Sequence, residues 1–116
     1  MKKPSTKICL LFVLFMINMQ IKAQKIYKVG YESQADIKVF VVKYESQADL
    51  NVYYVDYESQ ADKPGLWYMV EYESQADKKI YYVEYESQAD LKIYFVSYQS
   101  QAGWKNDSKK HLLGQK

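Results

Sequence analysis

The chain has 116 residues, enough for one small domain, and sixteen basic side chains against fourteen acidic ones leave a formal charge of +2. All sixteen are lysine; without arginine's bidentate fork or a concentrated basic face, nucleic-acid binding is excluded. A single cysteine, Cys9, cannot staple the chain, so stability must come from packing.

Residues 1–23 read as a leader. Lys2, Lys3 and Lys7 make it basic, and Ile8 to Ile17 is an apolar run too short to span a bilayer comfortably. The run matches the core of a secretory signal. Ala23 is a small residue before Gln24, so cleavage is expected near Ala23, giving a repeat domain over 24–116. Ile21 is larger than the position two before the cut prefers, so neighbouring bonds stay open, as does an uncleaved anchor. Cys9 lies inside the apolar run after Lys7-Ile8, which argues against lipid attachment. Removing the leader takes four lysines and no acids, leaving twelve lysines against fourteen carboxylates, or −2. The positive balance thus belongs to targeting, and the mature chain is expected to be periplasmic or secreted and not membrane-embedded.

A hexapeptide then repeats. Its tyrosines are Tyr31, Tyr44, Tyr57, Tyr72, Tyr85 and Tyr98, spaced 13, 13, 15, 13 and 13 apart. Five copies read YESQAD and the sixth reads YQSQAG. The longer gap holds Lys63-Pro64-Gly65, a turn signal. A unit this short has room for one strand and one tight connector.

Before each tyrosine lie IYKVG, VFVVK, VYYVD, WYMVE, IYYVE and IYFVS. Valine stands two before the tyrosine (Val29, Val42, Val55, Val70, Val83, Val96) and an aromatic four before (Tyr27, Phe40, Tyr53, Tyr68, Tyr81, Tyr94). With the motif tyrosine they form a period-two apolar row, expected to face the core. The other face is mixed, with Ile, Val or Trp five before and a variable residue three before. β-Branched and aromatic residues suit a pleated environment. The expected class is all-β: six strand-turn repeats in one pseudosymmetric domain, arranged as a meander or a small closed ring.

In the connector, Ser and Asp stand three apart, as in Ser33 and Asp36. That spacing suggests a one-turn helix in which the Ser hydroxyl caps forward and the carboxylate reaches back.

Chemistry finds little support. Glu32 and Asp36 and their equivalents lack the convergent oxygens that calcium requires, and Lys38, Lys79 and Lys92 stand ready to balance them. His111, the only histidine, has no cysteine partner for zinc, and six equivalent serines argue against a special nucleophile. His111 belongs to a basic tail whose Leu112-Leu113 pair is expected to dock on the core. No catalytic, cofactor or metal residue is assigned. The tyrosines suggest aromatic packing or a stacking platform for sugars. Tyr54 and Tyr82, three before the motif, and Trp67 are the candidates for an exposed binding face.

The hexapeptide in five copies, the SQAGWK closure at Ser100 to Lys105 and the SKKHLL tail resemble the septknot family, small bacterial proteins of unknown function named for a predicted seven-crossing knot. The resemblance covers about Lys25 to Leu113. It implies a compact, pseudosymmetric, β-rich, deeply knotted domain, and it brings no catalytic residues. The Pro64-Gly65 insertion and Gln99 depart from the pattern, at connectors that tolerate change. The expected function is a non-enzymatic exported structural or interaction domain, with a monomer favoured and no cofactor; the sequence does not name its partner and leaves a glycan or a protein surface open. The alternative is a carbohydrate- or cell-wall-binding module.

Overall fold

The computed structural model describes residues 24–115; the leader and its cleavage point before Gln24 fall outside them, as does Lys116. Six strands carry the repeats: β1 (Lys25–Lys28), β2 (Ile37–Val41), β3 (Leu50–Val55), β4 (Leu66–Met69), β5 (Lys78–Tyr82) and β6 (Leu91–Phe95). A two-residue β7 (Gly103–Trp104) follows. The first six run parallel and close on themselves in the cyclic order β1-β5-β2-β6-β3-β4. Of the two expected arrangements the chain adopts the closed ring and not the meander, which needs antiparallel neighbours. β7 pairs antiparallel with the start of β3.

The strand order is a parity problem solved by one connector. From β1 to β2 to β3 the chain advances two places around the ring each time, and again from β4 to β5 to β6. A stride of two on six places would return to an occupied position after three strands. The step from β3 to β4 is instead to the adjacent place, and it is the step containing Lys63-Pro64-Gly65. The insertion therefore coincides with the one step that sets the second triplet between the strands of the first. Among β1 to β6, each strand of the first triplet pairs only with strands of the second. Gly65 has φ +89°, and a Cβ there would collide with the Asn51 carbonyl oxygen.

Each seam carries the same stagger. The residue five before a motif tyrosine pairs with the residue seven before on the next strand, as in Ile26 with Lys78, Ile80 with Ile37, Val39 with Leu91 and Ile93 with Leu50. The β3–β4 and β4–β1 seams keep the same two-residue offset, with Tyr53 opposite Leu66 and Tyr68 opposite Lys25. Equivalent residues thus lie at one level, and inward side chains stack in layers of six. The central layer is Ile26, Val39, Val52, Trp67, Ile80 and Ile93, each fully buried. Trp67 is the one bulky member, on the strand opposite Val39.

The interior is therefore the mixed row of the sequence, not the uniformly apolar one. The motif tyrosines expected in the core are 62–73% exposed. The aromatics four before are half-buried on the outside of the barrel. The valines two before are buried in the first three repeats and half-buried in the rest. In this barrel the small ring has only one inside, and fully buried aliphatic residues together with Trp67 occupy it.

Each YESQAD forms a three-residue 3-10 turn, such as Glu32–Gln34, with Gln34 and Ala35 N–H donating to the Tyr31 and Glu32 carbonyls. Tyrosine is the N-cap, so the serine sits mid-turn and cannot cap it as expected. Glutamine turns back in its place: Gln60 Oε1 accepts from the Tyr57 N–H at 3.0 Å, and Gln75 and Gln101 repeat the contact. The aspartate reaches across rather than back. Asp36 donates its N–H to the Lys79 carbonyl of the strand it crosses and accepts from the Lys79 N–H, both at 2.8 Å. The same two-bond clasp joins Asp49 to Lys92, Asp77 to Lys25 and Asp90 to Lys38. The connector from β3 to β4 crosses no strand, and its Asp62 makes no such clasp.

The tail closes the end of the barrel where strands begin. Asn106 accepts from the Ser108 N–H and caps a 3-10 helix, Asp107–Leu113. Its Leu113 is fully buried in the core cluster with Leu112 packed beside it, so the expected leucine docking holds, and His111 is exposed. Asn106 is anchored by its side-chain N–H to Asp49 Oδ1, and the Lys109 ammonium donates to the Asp90 carbonyl at 3.0 Å.

Candidate functional site

At the opposite end, where strands finish, the inward row continues to the residue three before each tyrosine: Lys28, Val41, Tyr54, Met69, Tyr82 and Phe95. This layer is the open mouth. Tyr54 on β3 and Tyr82 on β5 stand on opposite sides of the ring, and their hydroxyls meet at 2.6 Å across it. Phe95 meets Tyr54 edge to face with ring centroids 5.1 Å apart, an arrangement suited to aromatic quadrupoles. The Lys28 ammonium lies 5.5 Å from the centre of the Tyr82 ring, within cation–π range. Val41, Tyr54 and Phe95 remain about two-fifths exposed, while Met69 and Tyr82 are half-buried.

Two of the three residues expected to form a binding face are thus brought together. Trp67 is not part of it: it lies one layer below, fully buried, and its indole N–H has no hydrogen-bond partner among the described residues. A bulky side chain five before the motif points to the packed centre, where exposure is geometrically closed. Phe95, Val41, Met69 and Lys28 are the members that were missed, although they hold the same motif position as Tyr54 and Tyr82. Burial pushes both phenols above their ordinary value of 10, and for Tyr82 the bond to Tyr54 pushes further in the same direction.

Residues 23–105 match a family model described as the 7(1) septoil knot domain. The chain belongs to this septoil-knot family. Neither a curated protein nor a solved structure matches it.

Around the mouth of this septoil-knot domain runs a rim one residue before each motif tyrosine. In ring order it reads Gly30, Glu84, Lys43, Ser97, Asp56 and Glu71, all exposed. Outside it stand the six exposed motif tyrosines. Among the described residues every exposed large hydrophobic is either one of these six or one of Val41, Tyr54 and Phe95. The flanks of the septoil-knot barrel carry ion pairs beside the half-buried aromatics. There Lys38, Lys79 and Lys92 pair with Glu32, Glu73 and Glu86 at 3.3–3.5 Å, as their sequence proximity suggested. No group of three or more His, Cys, Asp or Glu is placed to hold a metal among the described residues. No helix among them is long and apolar enough to cross a membrane.

Proposed function

We propose that the chain is an exported, non-enzymatic interaction scaffold, a knotted barrel that presents the mouth at its strand ends to a partner. The observation that carries this is the segregation of exposed apolar side chains: all nine lie in the mouth or just past the strand ends. Isolated exposed aromatics are ordinary on a protein surface, but one contiguous end rimmed by polar residues is how an interaction site looks. Four motif aspartates sit in backbone clasps and the motif glutamates beside lysines, which supports a structural use for them over a catalytic one. Export rests on the leader, and the knot on the family together with the interleaved strand order.

The test separates these parts. Protein recovered from the periplasm or medium should begin near Gln24, and a chain retained whole in the cytoplasm contradicts export. Pulling the folded chain by both ends should stop short of its full contour if a knot tightens, and complete extension contradicts it. Replacing Tyr54 and Phe95 by Ser should abolish partner capture while the fold persists; undiminished capture moves the contact surface elsewhere.

Carbohydrate or cell-wall binding is the second function with a specific observation behind it. The mouth offers ring faces beside paired hydroxyls, the combination that stacks on a sugar and hydrogen-bonds its edge. Retention on insoluble cell-wall glycan, lost in Tyr54→Ser with Phe95→Ser, is the expected result.

A further inference from the structure

We infer that the partner at the mouth is a second copy of this chain, docked mouth to mouth about a twofold axis. The inference rests on the proposed use of the mouth as the contact surface and adds what occupies it. An isologous contact requires a patch complementary to itself after a half-turn. For two barrels facing end to end, a half-turn perpendicular to the barrel axis reverses the ring order and slides it into one of six registers in which strand ends overlie. The charges of the mouth and rim decide among them. β1 carries Lys28, β5 Glu84, β2 Lys43, β6 Ser97, β3 Asp56 and β4 Glu71.

Five registers bring at least one pair of like charges together. When the axis passes through β1, for example, Lys28 meets its own copy and Glu84 meets Glu71. The sixth has its axis between β1 and β5. There Lys28 faces Glu84 of the second copy, Lys43 faces Glu71, and Ser97 faces Asp56, with every pair made twice. No like charges meet. The centre then sets Val41 against Met69 and Tyr54 against Phe95 of the second copy, with Tyr82 on the strand that faces β1, an apolar core within a charged rim, the usual anatomy of an interface. Lysine and glutamate at the rim set register and partner choice more than they set affinity. The expected assembly is therefore a dimer, against the monomer favoured by the sequence.

The test is a charge swap read by sedimentation over a concentration series, using protein purified from its producing cells. Wild type should dimerise, more weakly at high salt. Lys43→Glu and Glu71→Lys should each weaken dimerisation about tenfold or more, because each places two like-charge pairs in the contact. An equimolar mixture of the two variants should restore dimers. The glutamate introduced at position 43 of one chain then faces the lysine introduced at position 71 of the other, and the reciprocal contact is native. Circular dichroism of each variant should match wild type, these side chains being exposed. A wild type that stays monomeric to about millimolar concentration overturns the proposal, as does a mixture no tighter than its components or a dimer indifferent to both substitutions. Monomers retained on cell-wall glycan through Tyr54 and Phe95 also overturn it, while leaving the mouth as the contact surface. Wild-type capture of neither kind removes both.

Discussion

Asp36, Asp49, Asp77 and Asp90 explain the last letter of the repeat. Each holds the backbone of a neighbouring strand with its own N–H and with a carboxylate oxygen, so the connector is fastened where it crosses. Hydrogen bonds to a charged acceptor are worth more than neutral ones. Asp90→Ala should cost about 1–3 kcal/mol in urea unfolding, whereas Asp90→Asn, which keeps an acceptor oxygen, should cost less. Equal losses would show that charge, not the bond, does the fastening. The Lys–Glu pairs beside the clasps are half-exposed, and their removal should change stability by less than about 1 kcal/mol. At the mouth, burial keeps the Tyr54 and Tyr82 phenols neutral where an ordinary tyrosine ionises. Below pH 10 both states hold these protons and stability is indifferent to them. Above it the unfolded chain releases protons that the barrel retains, so stability falls as pH rises. Unfolding of Tyr54→Phe with Tyr82→Phe should show a shallower alkaline decline than wild type; an identical decline would place its origin elsewhere. At this scale the sequence was half legible. Tyr54 and Tyr82 shared a motif position and did come together. The motif tyrosines misled because they extend the period-two apolar row, and what the turn uses is their backbone carbonyl as an acceptor.

Strands and turns were both readable from the thirteen-residue period, and each strand overlaps the segment where alternation placed it but begins one or two residues earlier. Which face was inner was not readable, since both rows contain apolar residues and alternation is blind to the direction of curvature. Pairing was hidden as well: β1 lies between β4 and β5, more than forty residues away, and no local signal reports such distances. The odd step did leave a trace in Lys63-Pro64-Gly65, whose two extra residues looked like slack. Deleting Pro64 and Gly65 restores a uniform period and should send β4 toward a place already filled by β1. The expected outcome is loss of the cooperative unfolding transition, followed by the intrinsic fluorescence of buried Trp67. A deletion variant that unfolds like wild type would sever the link between that insertion and the strand order. Gly65→Ala should also destabilise, because φ +89° disfavours a side chain and the space is taken by backbone.

For the molecule as a whole, a parallel ring in which every seam but β3–β4 joins strands more than forty residues apart must close long loops before it can form. Such topologies fold slowly, on the scale of milliseconds to seconds or beyond. Stopped-flow refolding monitored through Trp67 should fall at or past the slow end of that range, and microsecond recovery would contradict it. The two-sided pairing has one more consequence. Because β1, β2 and β3 never bond to one another, a nascent chain that has emerged only as far as Asp62 owns three strands and not a single ladder. Half a product is therefore sticky and shapeless, whichever machinery delivers it, and must be kept apart from other copies until its complement arrives. A severed polypeptide should behave likewise: each fragment idle alone, the two together reconstituting the ring.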